Sequence, residues 1–245
     1  MKLIKEIAFR MLPLILLLSS CEGLLEDSGD CLRPQSQEIS IKSFNLSAFQ
    51  KLHIKGELEV LLVQGDNYKL EIRGSENLIE NLVVKQDQQT LNIQPKQCMH
   101  HTGRLYLFLQ APKLSEIRLY ESTYLTGDIW RGEQISLYAE ESSAIDMELE
   151  VISVNTYVRD ASNICLRGVA EKHVGSVLGK SSTYAGTLVS QEADFTVSGE
   201  RSSATLLVSN RLEANVKNGG TLFYAGHPPT VKALVDANSD LLLVD

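Results

Sequence analysis

The run Cys98-Met99-His100-His101 places a thiol, a thioether and two imidazoles in consecutive positions. These side chains are ligands for copper or zinc. Neighbouring side chains on a strand point to opposite faces, so only a loop would gather all four around one ion. No second group of ligands accompanies the run. The sequence therefore favours a disulfide as the role of this cysteine and predicts no metal site.

The cysteine count limits the pairing. Cys31, Cys98 and Cys165 remain once Cys21 is assigned to lipid attachment, as argued below, and an odd number in an oxidising compartment allows one pair. We predict a disulfide between Cys31 and Cys98, with free thiols as the alternative. Cys165 is interpreted as a small core residue at the repeat position of Leu125, Ile145 and Leu222.

Motifs for catalysis are weak in this chain. It has no Gly-x-Ser-x-Gly, His-Glu-x-x-His or phosphate-binding loop, and its five histidines are expected at the solvated surface. Glu140, Glu141 and Asp160 would suit a polysaccharide hydrolase or lyase, but acidic residues near turns are common in an acidic protein. We expect no enzyme, no catalytic residue and no cofactor.

Tyrosines recur through the second half of the chain. Tyr124 and Tyr184 are predicted to occupy equivalent repeat positions, where exposed rings would stack on sugars or on a protein partner. The alternative is that the rings pack against one another along the outside of the fold. These two tyrosines are the predicted ligand surface.

Composition narrows the class of protein. The 245 residues are 43% hydrophobic and 22% charged, with a formal charge of -8. Plentiful, dispersed apolar residues indicate a folded globular or repeat protein. The negative charge argues against nucleic-acid binding, which depends on neutralising phosphates.

The amino-terminal segment predicts the cellular location of the protein. Residues 1–20 have a basic start and a short apolar run, as in a secretory signal, and the run is too short to cross a bilayer. Leu18-Ser19-Ser20-Cys21 resembles the bacterial lipobox, which implies lipidation of Cys21 and a membrane contact through that anchor. Acidic residues beyond Cys21 partly resemble the surface-export signals of Bacteroidetes lipoproteins. We expect an outer-membrane lipoprotein facing either the cell surface or the periplasm.

The remaining chain divides by pattern. Residues 21–42 are predicted to form a lipidated tether, because they are rich in turn residues and lack periodicity. Residues 43–113 form a β-rich part with period-two alternation, interrupted by one helical turn in residues 75–82. Residues 114–245 form a repeat region. The fold class is therefore all-β.

A repeat of 20 residues defines the last region. Five serines are spaced at this interval: Ser122, Ser142, Ser162, Ser182 and Ser202. Gly219 and Ser239 extend the series. A fixed period with strand-like copies is typical of a solenoid in which each rung packs only on its neighbours. We predict a parallel β-helix-like solenoid with rungs of about 20 residues. A leucine-rich repeat or an ordinary sandwich are the less favoured alternatives.

A family resemblance supports this fold. Residues 111–117 (APKLSEI) and 212–228 (LEANVKNGGTLFYAGHP) resemble the putative auto-transporter adhesin, head GIN domain family. Further matching positions are Phe49, Leu52, Gly56, Val60, Val63, Gly65, Asn77-Leu78-Ile79 and Leu91-Asn92-Ile93. The resemblance implies a β-helical body, secretion or lipid anchoring, and no established enzymatic activity. The chain departs from the family in its turns, where serine pairs replace most glycines and only Gly219-Gly220 survives.

Three hypotheses for function follow. The leading one is a non-enzymatic outer-membrane lipoprotein, an adhesin-like module whose β-helical surface binds a protein or glycan ligand. The alternatives are a periplasmic scaffold protein and, less favoured, a carbohydrate-active enzyme on a β-helix. The oligomeric state is left open by the sequence, although an uncapped solenoid end would allow pairing.

Overall fold

The computed structural model describes residues 31–99 and 105–244. The described residues belong to one compact unit. The predicted signal segment 1–20 and Cys21 lie outside the described residues, as do His100 and His101. No helix among the described residues is long and apolar enough to cross a membrane.

Strands dominate the described residues, and one short helix interrupts them. In chain order the elements are β1 (Ser40–Asn45), β2 (Lys51–Lys55), β3 (Glu59–Gln64), β4 (Lys69–Gly74), α1 (Glu76–Glu80), β5 (Leu82–Asp87), β6 (Thr90–Pro95), β7 (Leu105–Ala111), β8 (Glu116–Tyr120), β9 (Tyr124–Ala139), β10 (Ala144–Val158), β11 (Asn163–Leu178), β12 (Ser182–Ser198), β13 (Ser203–Lys217), β14 (Thr221–Ala225), β15 (Thr230–Val235) and β16 (Asp240–Leu243). Helix α1 falls within the segment where the sequence predicts a helical turn.

The long strands β9 to β13 run through one continuous 16-stranded sheet that folds into two faces, which we describe as two sheets around one core. Each begins in one sheet, bends near its middle and ends in the other, pairing in parallel with the next rung along both halves. We call the sheet of the first halves, with β1, β4, β7, β3, β14 and β16, the front sheet. The sheet of the second halves, with β5, β6, β2, β8 and β15, is the back sheet. The predicted β-solenoid is confirmed.

Period-two alternation explains the core. In β10 the side chains of Ile145, Met147 and Leu149 are buried, whereas the residues between them are half-buried on the outer face. Strand β11 requires a glycine at Gly168, which has φ +102, because a Cβ there would lie 2.2 Å from the carbonyl oxygen of Leu149.

The rungs vary in length, which corrects the predicted repeat frame. Paired strand starts run Tyr124, Ala144, Asn163, Ser182, Ser203, Thr221 and Asp240, so by subtraction the steps range from 18 to 21 residues. A fixed spacing of 20 therefore aligns residues that are not equivalent. Ser122 and Ser142 are exposed turn residues, whereas Ser162 and Ser202 are buried.

The turns themselves are left-handed and end on a buried hydroxyl. Ser122 and Ser142 take φ values of 61 and 65, so serine adopts the left-handed conformation that favours glycine. The buried positions that follow the turns are Thr123, Ser143, Ser162, Ser181 and Ser202. The hydroxyls of Ser162, Ser181 and Ser202 accept backbone hydrogen bonds from the neighbouring rung. Thr123 Oγ1 instead donates to the carbonyls of Gly56 and Tyr120, and Ser143 Oγ has no hydrogen-bond partner among the described residues. The backbone N–H of Ser143 donates to Ser162 Oγ at 3.0 Å, and that of Ser162 donates to Ser181 Oγ at 3.2 Å.

The region before the repeats joins the same two sheets. Strand β2 pairs in parallel with β8 in the back sheet, and β3 lies between β7 and β9 in the front sheet. Part of the predicted tether is attached to the body. The backbone N–H of Leu32 donates to the Cys98 carbonyl at 2.9 Å, and β1 pairs with β4.

Candidate ligand-binding surface

The two predicted ligand tyrosines are exposed on the outer face of the front sheet. Tyr124 is 42% exposed and Tyr184 is 52% exposed. Their predicted equivalence is wrong, because Tyr124 pairs with Ala144, whereas Tyr184 pairs with Cys165, one outward position further along the rung. Three strand spacings separate them, roughly 14 Å. The structure therefore does not place them in one site.

Tyr124 instead belongs to a contiguous cluster across β7, β3 and β9. The register sets Tyr106, Glu59 and Tyr124 in one row and Phe108, Leu61 and Thr126 in the next. We define the aromatic patch by its five apolar outward residues: Leu61, Val63, Tyr106, Phe108 and Tyr124. Tyr106 is 39% exposed and Val63 is 36% exposed. Aromatic and aliphatic groups thus face solvent on three adjacent strands.

Charged side chains border the aromatic patch on its β4 side. The Arg73 guanidinium lies 4.5 Å from the centre of the Phe108 ring, a cation–π contact, and its Nε donates to Glu71 at 2.6 Å. Glu71 is in turn 4.0 Å from the Lys69 ammonium. Partial burial raises the pKa of Tyr124, and the nearby Asp146 carboxylate raises it further. The Tyr124 hydroxyl therefore stays protonated at neutral pH and can donate a hydrogen bond.

Two shallow depressions give the aromatic patch a shape. One of about 260 Å³ lies over Phe108, Leu61 and Val63, bordered by Arg73 and Lys69. The other, of about 230 Å³, is lined by Tyr106, Tyr124, Leu61 and Phe108 together with Glu59, which lies between the two tyrosines. A ligand with apolar projections would fit both.

The tyrosines of the back sheet pack against one another. The rings of Tyr138 and Tyr157 have centroids 6.1 Å apart, and the Arg118 guanidinium lies 4.0 Å from the Tyr138 centroid. This is the packing that the alternative interpretation of the tyrosines predicts, and it applies to this pair on the back sheet.

The carboxylates singled out for catalysis are held by arginines. Glu140 is 4% exposed, and its Oε2 accepts from Arg159 Nη2 at 2.5 Å. Arg118 Nη1 lies 3.8 Å from the other oxygen. Asp160 pairs with Arg159 at 3.1 Å. Glu141 is an exposed turn residue with φ 56. These contacts tie neighbouring rungs together at one edge of the solenoid.

The structure brings Cys31 and Cys98 together. Their sulfurs are bonded at 2.13 Å and their Cα atoms are 4.8 Å apart. Cys165 is a free thiol on the outer face, so its interpretation as a core residue is wrong; the inward position belongs to Ile164, which pairs with Ile145. Within residues 31–99 and 105–244, no group of three or more His, Cys, Asp or Glu residues is placed to hold a metal ion.

One histidine contradicts the expectation of surface positions. His173 is fully buried between the sheets, with its Nε2 3.1 Å from Thr156 Oγ1 and its ring edge-on to Phe195 at 4.6 Å. Burial lowers the pKa of His173 to about 3. The side chain of His173 points inward because the residue pairs with Val154 and Ala193, whose side chains are buried in the core.

Sequence reasoning missed most of the aromatic patch, although one signal was available. Residues 105–109 (LYLFL) are apolar at every position, whereas a strand with one solvated face alternates. Tyr106 and Phe108 therefore had to face either a second layer or solvent. The pairing of β7 with β3, which brings Leu61 and Val63 alongside, is long-range and has no local signature.

Comparison with proteins of known structure shows the same fold. The chain is similar to a putative adhesin from Bacteroides fragilis, with a TM-score of 0.80 and 15% identity over 87% of this chain and 100% of that chain. The chain is also similar to a putative lipid binding protein from Parabacteroides distasonis, with a TM-score of 0.69 and 13% identity over 87% of this chain and 99% of that chain. A putative adhesin from Parabacteroides merdae is similar with a TM-score of 0.63 and 16% identity over 89% of this chain and 100% of that chain.

Comparison with curated proteins gives no significant match. A family model does match, over residues 48–228, and its description is "Putative auto-transporter adhesin, head GIN domain". The match spans most of the described solenoid and includes in full both segments that carry the resemblance in the sequence, residues 111–117 and 212–228. The chain therefore belongs to the putative auto-transporter adhesin, head GIN domain family.

Proposed function

We propose that this protein is a non-enzymatic, lipid-anchored binding module of the outer membrane, which holds a macromolecular ligand on the aromatic patch. The observation that carries the proposal is the cluster of outward apolar side chains on β7, β3 and β9, in which Phe108 lies beside Leu61 and the two tyrosines flank Glu59. A soluble protein rarely leaves such side chains together on a surface unless they contact something.

The composition of the aromatic patch favours a protein ligand over a glycan. Tyrosine, phenylalanine and arginine are the residues enriched at the centres of protein interfaces. Phe108 lies between Leu61 and the stacked Arg73, so a partner would meet a pre-arranged apolar floor with charged groups at its border. Little side-chain entropy would then be lost on binding.

The family supports this proposal. Its description names an adhesin, and two of the similar structures are described as adhesins, while the third is described as a lipid binding protein. These descriptions apply to those proteins. Adhesion requires display on the envelope, which the predicted lipid anchor at Cys21 would provide.

Single substitutions in the aromatic patch test the ligand face. We expect wild-type protein to bind at least one of immobilised fibronectin or collagen in surface plasmon resonance. Phe108→Ala or Tyr124→Ala should then weaken binding by about 2 kcal/mol, or roughly 30-fold in Kd, as for central residues of an interface.

Tyr184→Ala is the matched control, because Tyr184 is also exposed on the same sheet, to 52%, but lies outside the aromatic patch. It should bind like the wild type. If Tyr184→Ala lost binding and Phe108→Ala retained it, the ligand would bind outside the aromatic patch. Binding to a panel of polysaccharides, without binding to either protein, would indicate a glycan ligand.

Lipid attachment is tested separately. Cells fed a radiolabelled fatty acid should label the wild-type chain, and Cys21→Ala should abolish the label and release the protein from the membrane fraction. Cys165→Ser is the control, which should remain labelled. Protease added to intact cells should remove the anchored protein if it is displayed outside. Protection until the outer membrane is breached would contradict adhesion and favour the periplasmic scaffold.

A further inference from the structure

A depression of different chemistry lies on the outer face of the back sheet. It has a volume of about 330 Å³ and lies over β11, between side chains of β10 and of β12. The outward side chains that line it are Asn155, Tyr157, Val174, Ser176, Asp194 and Thr196. We call it the β11 depression. It is separate from the aromatic patch, which lies on the front sheet.

The strand register explains the shape of the β11 depression. Two outward rows cross it: Tyr157, Ser176 and Thr196 in one, and Asn155, Val174 and Asp194 in the other. Val174 and Ser176 of β11 are shorter than the tyrosine on one side and the aspartate on the other, so β11 forms the floor. Strands β10 and β12 are two strand spacings apart, roughly 9.5 Å. The space between their side chains therefore suits a ligand that is one sugar ring wide.

The aromatic wall of the β11 depression is held in place from behind. The ring of Tyr157 lies 6.1 Å from that of Tyr138, and the Arg118 guanidinium lies 4.0 Å from the Tyr138 centroid. Tyr157 is half-buried and adjoins Ser176 on its other side. Since these contacts fix the ring before a ligand arrives, little side-chain entropy would be lost on binding. The C–H groups of a sugar carry partial positive charge and pack well on the negative face of such a ring.

The opposite wall of the β11 depression offers polar groups. Asp194 is exposed and has no ion-pair partner within residues 31–99 and 105–244. The next carboxylate of its row, Glu213, differs because it is 2.7 Å from Arg211. Asn155 Nδ2 donates to Ser136 Oγ at 3.3 Å, which leaves the amide oxygen as an acceptor. A carboxylate accepts strong, charge-assisted hydrogen bonds from hydroxyl groups.

We propose that the β11 depression binds one sugar ring of a neutral glycan. The ring stacks on Tyr157, and its hydroxyls form hydrogen bonds with Asp194, Asn155 and Thr196. This is a second ligand, bound on a different sheet from the ligand of the aromatic patch, so it goes beyond the proposed function.

The charge of the β11 depression selects this class of ligand. Among the described residues that line it, Asp194 alone is charged. A phosphate, a nucleic acid or an acidic polysaccharide would be repelled by this carboxylate. A lipid chain or an apolar peptide would remove it from water without giving it a hydrogen-bond partner, which is costly. A neutral sugar supplies both a C–H face for the ring and hydroxyl donors for the carboxylate.

Saturation-transfer NMR with neutral tetrasaccharides tests the proposal. Residues 22–245 contain every described residue and lack the lipid site, so they can be used without detergent. The probes are tetrasaccharides of glucose, mannose, galactose and N-acetylglucosamine. At least one should bind, with a Kd in the millimolar range or tighter.

Two substitutions locate the bound sugar. Asp194→Ala should raise the Kd about tenfold or more, because a hydrogen bond to a charged group is lost. Ser176→Trp should abolish binding, because the larger side chain fills the floor of the β11 depression. Both side chains face outward, so the circular dichroism spectrum should not change.

Matched controls separate this site from the aromatic patch. Asp128→Ala removes an exposed aspartate of β9 outside both surfaces and should bind the sugar like the wild type. Phe108→Ala should also keep the sugar while it loses the protein ligand of the aromatic patch, so the two proposals fail independently.

Several results would overturn a sugar site at the β11 depression. One is that none of the four tetrasaccharides binds, and another is that Ser176→Trp binds as well as the wild type. A sugar that is lost in Phe108→Ala but kept in Asp194→Ala would lie on the aromatic patch. Preferential binding of a heparin tetrasaccharide would contradict the predicted selection for a neutral ligand.

Discussion

Replacing Cys98 with serine is expected to lower the free energy of unfolding by about 4 kcal/mol. Cys98 is bonded to Cys31 across a sequence separation of 67, so the bridge restricts a long loop of the unfolded chain. In the chain-entropy description the stabilisation grows with the logarithm of loop length. Urea unfolding of residues 22–245, followed by circular dichroism, measures the change.

Two comparisons separate the bridge from the loss of a sulfur atom. Cys165→Ser removes a free, half-exposed thiol and should change the free energy of unfolding by less than about 1 kcal/mol. The double variant Cys31→Ser with Cys98→Ser should cost no more than either single variant, because both remove the same bond. Three reactive thiols in folded, unreduced residues 22–245 would show that the bond does not form in solution.

The solenoid could be predicted from the sequence because its cause is local. Apolar alternation and turn residues at regular spacing are visible in every rung, and each rung packs mainly on its neighbours. The exact frame could not be predicted, since rungs of 18 to 21 residues shift the alignment at each step. Because strand side chains alternate, an error of one residue moved Cys165 from the outer face to the core.

The candidate site was predictable only in part. The exposure of Tyr124 follows from its place at the start of a strand after a turn. Its neighbours in the aromatic patch come from β3 and β7, which lie well before it in the chain and reach it by long-range pairing. Tyr184 has the same residue type and sheet, yet β10 and β11 separate it from the patch.

His173 was assigned to the surface on residue type alone. Histidine is intermediate in its tendency to be buried, so the type does not decide the matter. The position within β11 does decide it, because His173 lies in register with Val154 and Ala193. Recognition of that register requires the rung boundaries that the sequence places incorrectly.

The burial of His173 predicts a loss of stability in mild acid. Burial holds the pKa of His173 at about 3 in the folded chain, whereas in the unfolded chain its pKa is about 6.5. Below pH 6.5 the unfolded state binds a proton that the folded state does not, so the free energy of unfolding falls as pH falls. The slope approaches about 1.4 kcal/mol per pH unit until the folded pKa is reached.

Urea unfolding at two pH values isolates this contribution. Between pH 7.5 and pH 5.0, His173 should lower the free energy of unfolding by about 2 kcal/mol. His173→Leu keeps the volume and removes the proton site, so the wild type should lose about 2 kcal/mol more than this variant over the same interval. The leucine would lie between the buried apolar residues Val154 and Ala193 of the adjacent strands, while Thr156 would lose its contact with the imidazole in both pH conditions alike. His53→Gln, which changes a half-buried histidine on the outer face, retains His173 and should retain its contribution.

Parallel pH profiles for the wild type and His173→Leu would mean that the ring takes up a proton inside the fold, and that water or a local opening of β11 reaches it.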